Sequence, residues 1–272
     1  MPRRAITLSR LALILTTAIG TNALAVGCAR VPVPQYGGTG GEVTLHVAAA
    51  SDLQVVLPAL IDRYRAEAPG VKVVPVFGSS GQLAEQVKAG APFDLFLAAN
   101  EAFVKDLATE NSIVPASIRP YALGSLVLAS RSDLGAPVES PADLTKTAVK
   151  TVSIANPDVA PYGAAARQAL KKAGLWETLK HKLVTAESVR QALTYVETGD
   201  ADAGFASKAL VNNEKVRAFD VDPSLYDPIV QTLGVVARSE HAEAAEAFAR
   251  FLVGDASHAV FASHGFKRPG GP

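Results

Sequence analysis

Apolar residues recur along this chain with two different periods, and the two periods take turns. Residues 45–49 (LHVAA), 71–77 (VKVVPVF), 93–99 (FDLFLAA), 151–155 (TVSIA), 203–206 (AGFA) and 229–237 (IVQTLGVVA) are short apolar runs of strand length and strand composition. After the first of them, Leu53, Val56, Leu57, Leu60, Ile61 and Tyr64 fall at helical spacing and give one apolar face. Further helices are expected over 81–89, 101–110, 164–173, 190–198, 242–252 and 256–264. Strand and helix alternate up to about Tyr121, the pattern of a parallel sheet with crossover helices. The run 123–130 (LGSLVLAS) reads as one strand crossing to a second lobe, and 140–150 as a short helix opened by Ser140 and Pro141. Pro58 lies inside the first helical pattern, where it either kinks the helix or marks a later start.

Four strand-to-helix turns share one chemical character: Ser51-Asp52, Ser79-Ser80-Gly81, Ala160-Pro161-Tyr162-Gly163 and Ser188-Val189. A helix begins with unpaired N–H groups and the positive end of its dipole, so a hydroxyl placed there completes a small anion cradle. Turns of this kind on neighbouring parallel strands face one crevice at the carboxyl edge of the sheet. No Lys or Arg stands in the first three, and only Arg190 adjoins the fourth, so the anion is held by neutral dipoles. At about 1.5–3 kcal/mol for each hydrogen bond to a charged group, about six reach the roughly 8 kcal/mol of micromolar binding after ordering costs. Any one serine at a helix start is ordinarily a cap, and it is the coincidence of four turns that points to a ligand. Asp52 reads as a cap, because a carboxylate aimed at an anion would repel it. The pocket is then made of donors only, and affinity is expected to stay flat with pH.

Composition narrows the field. Of 272 residues 49% are apolar, enough for a core in one large or two modest domains, and 26 basic residues balance 26 acidic ones. That balance argues against a nucleic acid as partner. His46, His181, His241, His258 and His264 are scattered without metal-ligand spacing, and no metal site is expected. There is no G-x-S-x-G, Walker lysine or H-E-x-x-H motif. Ser51 or Ser80 as the nucleophile of an exported hydrolase would need a base that the sequence does not suggest.

The first residues carry Arg3, Arg4 and Arg10 ahead of an apolar stretch over 11–25, a signal-peptide pattern covering 1–27. The sequence Ala25-Val26-Gly27-Cys28 resembles a bacterial lipobox, which implies cleavage before Cys28 and a lipid on its sulfur; the competing reading is a plain signal peptide with an incidental cysteine. Cys28 is the single cysteine, so no internal disulfide forms. Residues 28–41 carry Pro and Gly and make a flexible tether. Loss of 1–27 removes three arginines and no acid, leaving acidic residues three in excess.

In order and at suitable spacing, VAAASDL, FGSSGQLAEQVKAGAPFDLFLAAN, SIANPDVAPYGAAARQAL, AESVRQAL and DADAGF, with the ending VFASHGFK, resemble the periplasmic molybdate-binding proteins of ABC importers. The resemblance implies a two-lobed α/β fold of the type II periplasmic-binding class, each lobe a mostly parallel sheet flanked by helices. The lobes are expected over 42–123, 124–234 and, returning to the first, 235–272. It implies a monomer that catalyses nothing, carries no cofactor, and binds molybdate or tungstate between its lobes for a membrane permease. Its place is outside the cytoplasm, held at the membrane by the lipid and facing the periplasm or cell exterior. Carried over, the hydroxyls and amides of Ser51 and Ser80 hold the oxyanion from the first lobe, and the main-chain N–H groups of Tyr162 and Val189 from the second. Ser207 stands where some members add a tyrosine hydroxyl as a fifth contact. Receptors for other tetrahedral anions, sulfate or phosphate, are the alternative within the class.

Overall fold

A computed structural model of the chain describes residues 42–212 and 214–270; the signal segment, Cys28 and the tether lie outside the described residues. The first lobe opens with β1 (Val43–Ala50), α1 (Val56–Glu67), β2 (Val71–Gly78), α2 (Ser80–Lys88), β3 (Leu95–Ala98), α3 (Glu101–Thr109) and β4 (Arg119–Gly124). The second contains β5 (Leu126–Arg131), β6 (Val152–Ala155), α4 (Pro161–Lys172), α5 (Trp176–Leu179), β7 (Leu183–Ala186), α6 (Val189–Thr198), β8 (Ala203–Ser207) and β9 (Val216–Asp220). The chain then returns through β10 (Ile229–Val235), α7 (Ala242–Leu252) and α8 (Asp255–Ser263).

The two sheets follow one plan. Their strand orders are β2-β1-β3-β10-β4 and β7-β6-β8-β5-β9. In the first, β10 alone runs against its neighbours β3 and β4; in the second, β5 alone runs against β8 and β9. Each sheet is therefore mixed and mostly parallel, with helices over its faces. The strand period of two decides which residue meets which helix. Leu45, Val47, Leu95 and Leu97 pack with Leu60, Tyr64 and Phe248 from α1 and α7. The intervening Ala48, Phe96 and Ala98 meet Leu83, Val87 and Val104 of α2 and α3 on the other face. Leu128, Ile154, Leu170, Leu193 and Phe205 fill the second lobe, in a cluster that also takes in Ala50 and Ala99 from the strand ends of the first.

Several expectations change at this level. The run 123–130 is two strands, broken at Ser125, with β4 on the edge of the first sheet and β5 inside the second. The edge strand β9 and the short α5 carry little apolar pattern, and the sequence reading passed over both. Because β10 pairs in the first sheet from Ile229 onward, the second-lobe segment ends before Ile229 and not at residue 234. Residues 141–145 form one 3-10 turn with a Ser140–Asp143 capping box, in place of a helix over 140–150. Pro58 is the third residue of α1, in the first turn, where a missing N–H forfeits no helical hydrogen bond. Residues 51–53 form a separate 3-10 turn, so β1 does not run straight into α1.

Candidate functional site

Three helices start at the crevice between the sheets. Ser80 is the first residue of α2, Tyr162 the second of α4 behind Pro161, and Val189 the first of α6 behind its cap Ser188. Each has an N–H without an acceptor inside its own helix. Ser188 caps as its sequence predicts, accepting from the Gln191 N–H at 3.2 Å. Ser80, Tyr162 and Val189 line one small cavity with Ser51, Asp52 and Ser79. Four of the five residues predicted for the anion are thus brought together, and no Lys or Arg lines the space. Arg190 instead bonds Thr194 and Glu197 along its own helix. The Ser80 hydroxyl oxygen accepts the Ala99 N–H at 3.0 Å, which leaves its own proton to donate elsewhere. The fifth residue is placed differently: Ser207 lies behind Tyr162, and its Oγ donates to the Tyr162 hydroxyl at 3.0 Å.

The lobes touch across this crevice. The Gly81 N–H donates to the Val159 carbonyl at 2.8 Å. A Cβ built on Gly81 would stand 2.8 Å from that oxygen and 2.9 Å from the Val159 Cα, so the approach needs glycine. At Gly163 a Cβ would run into the Ala155 carbonyl, so the close approach of the start of α4 to β6 also needs glycine.

Asp52 corrects the reading of a donor-only pocket. It is wholly buried, and it caps nothing: the turn at 51–53 has no side-chain cap. Its Oδ2 accepts from the Tyr162 hydroxyl at 2.9 Å and from Gln231 Nε2 at 2.6 Å. Tyr121 Oη donates to Gln231 Oε1 at 3.1 Å and so turns the amide nitrogen toward Asp52. Asp52 Oδ1 is buried without a hydrogen-bond partner. Burial lifts the Asp52 pKa to about 6, against the opposing effect of Tyr162, Gln231 and its own main-chain N–H. Burial also raises the Tyr121 and Tyr162 hydroxyls well above their ordinary range, so both stay neutral.

Sequence reasoning named Asp52 for the wrong role and passed over Gln231 and Tyr121. The signal for Gln231 was present: an amide inside the apolar run IVQTLGVVA has to find buried partners.

Comparison with known proteins bears on this geometry. A family model for bacterial extracellular solute-binding proteins matches residues 45–267. The chain is 35% identical over 226 residues to the molybdate-binding protein ModA of Azotobacter vinelandii, covering 82% of this chain and 89% of that one. It is 39% identical over 187 residues to ModA of Rhodobacter capsulatus, covering 68% and 73%. Among solved structures, the Azotobacter vinelandii periplasmic molybdate-binding protein matches with a TM-score of 0.77 at 29% identity, over 83% of this chain and 99% of that one.

Proposed function

The chain belongs to the bacterial extracellular solute-binding proteins, within the molybdate-binding family that serves ABC importers, and from that membership we propose that it captures molybdate or tungstate outside the cytoplasm and delivers the anion to a membrane permease. Members of this family are transport receptors and not enzymes. The observation that carries the reading is the convergence of three helix starts and three serines, Ser51, Ser79 and Ser80, on one cavity that no Lys or Arg lines.

In this reading Ser51 and Ser80 offer hydroxyls and amides from the first lobe, and Tyr162 and Val189 offer main-chain N–H groups from the second. Ser207 acts through the Tyr162 hydroxyl and not on the anion. A tetrahedral dianion with no proton of its own suits donors fixed on two lobes, which also sets its size: charged hydrogen bonds weaken as they lengthen, and the shorter bonds of sulfate leave some donors out of reach. Cys28 with its lipid and the tether 29–41 would hold a monomeric receptor near its permease.

Thermal unfolding with added anion tests this. A ligand at about a hundred times its Kd adds roughly 2.7 kcal/mol of stability, so molybdate and tungstate should each raise the Tm by several degrees and sulfate at the same concentration should not. Equal shifts with sulfate would move the assignment to the sulfate receptors, and no shift with any of the three would remove it.

A further inference from the structure

We propose that Asp52 takes up a proton as the oxyanion enters and that its Oδ1 then serves as the cavity's acid donor, making anion capture proton-coupled. The inference rests on the oxyanion reading of the site and deepens it.

The hydrogen-bond chain around Asp52 leaves one acceptor unused. Ser207 Oγ donates to Tyr162 Oη, which commits the tyrosine proton to Asp52 Oδ2. Tyr121 donates to Gln231 Oε1, which turns Nε2 to donate to the same Oδ2 at 2.6 Å and, at 3.5 Å, to the Tyr162 hydroxyl. Both donors converge on one carboxylate oxygen, and the other, on a residue that lines the cavity, is buried with no partner. A buried unpaired acceptor is costly, and a dianion arriving beside an ionised carboxylate is repelled. One proton on Oδ1 removes both penalties and leaves the two bonds to Oδ2 intact. It supplies a carboxylic-acid donor to an oxyanion in an apolar enclosure, a recognised use of a neutral carboxyl group. The proton comes from solvent and rests on Oδ1; no bond of the anion is made or broken. The occupant is met through its oxygens, so no residue of the cavity ligates a metal ion.

The surroundings leave Asp52 without a compensating cation. The turn that carries it packs against β2, α6 and the turn Lys208–Leu210. Their charged groups are Lys72, which is exposed, Arg190, bonded to Glu197, and Lys208, bonded to Asp220. From α4, β4 and β10 the groups that reach it are the two neutral tyrosines and the Gln231 amide, while Arg119 bonds Glu246, Arg167 bonds Asp158, Lys172 bonds the Ser224 carbonyl and Lys171 is exposed. With the free carboxyl titrating near pH 6, the protein is already protonated below that point and binding there costs no proton. Above it, each anion must bring one proton in, so affinity falls as pH rises.

Calorimetric titration of the purified protein with molybdate, in buffers of different ionisation heat, counts that proton directly. Near pH 8 the parent should take up about one proton per anion, and its Kd should rise by roughly tenfold per pH unit above about 6.5. Asp52→Asn keeps an acceptor for Tyr162 and Gln231 and presents a fixed donor, so its proton uptake should vanish, its pH profile flatten, and its affinity at pH 8 exceed the parent's. Molybdate binding by the parent with no proton uptake and a flat profile overturns the coupling alone, whether or not the variant folds. A variant that keeps the parent's slope overturns the assignment to Asp52. Absence of binding of molybdate and tungstate at every pH removes the oxyanion reading, and this inference with it.

Discussion

The two halves of the cavity use the same strand, turn and helix device with opposite chemistry. The first lobe brings side chains to the space: the hydroxyls of Ser51 and Ser80 and the carboxyl of Asp52. The second brings main chain, at the starts of α4 and α6, behind the side chains of Tyr162 and Val189, which pack into its core cluster. A half built of side chains can be altered one functional group at a time. A half built of amides is altered only by moving a helix, so its specificity is stored in the packing that holds α4 and α6 in place.

The contact where the halves meet is the most sensitive point. Gly81→Ala sets a methyl against the Val159 backbone, and overpacking of that kind costs about 1–3 kcal/mol, so molybdate affinity should fall by up to roughly a hundredfold. With the lobes apart the same change replaces glycine in a helix by alanine, a gain of up to about 1 kcal/mol. Calorimetry and denaturant unfolding should therefore move in opposite directions, and a variant that binds like the parent would deny that the lobes close through this contact. Ser80→Ala comes next. It removes a donor to the anion, about 1.5–3 kcal/mol, and leaves the buried Ala99 N–H without its acceptor, so affinity should drop tens of fold and the Tm should fall as well. Unchanged affinity would take the first lobe out of the site. The smallest effect belongs to the main-chain half. Val189→Ala keeps its N–H and loses only buried methyl groups, so stability should fall by about 1–2 kcal/mol while Kd stays within roughly twofold. A large change in Kd would show that the two halves do not divide the work between side chain and main chain.

Much of the fold was legible because local periodicity and tertiary burial coincide in it. The strand at 93–99 is buried on both faces, those at 45–49 and 71–77 carry apolar runs whose alternate residues Leu45, Val47, Val71 and Val73 are buried, and the helix at 242–252 has the same bounds in sequence and structure. Elements went unread where burial is one-sided or brief: β9 has a single buried residue in five, Val216, and α5 spans one turn. The break at Ser125 could not be seen, since two consecutive apolar strands look the same whether they share a sheet or leave it. The site divides in the same way. The turns at 79–81, 160–163 and 188–189 were legible because a helix start is a local event with a local signature, whereas the choice of Ser51, Ser80, Tyr162 and Val189 as anion contacts came from the resemblance to the family.

What the sequence determined by itself is the starts of α2, α4 and α6, the small residues placed at them, and the scarcity of cations in the turns that carry them. Those follow from capping and periodicity, which act over a few residues. Only the tertiary structure decided what Asp52 does. Its partners Tyr162 and Gln231 lie 110 and 179 positions away, and Tyr121 reaches it through Gln231, 110 positions from its own partner. No local rule connects such residues. The chain has to cross from one sheet to the other and back before they meet, and it is burial at that meeting point that raises the carboxyl in the turn after β1 to a pKa of about 6.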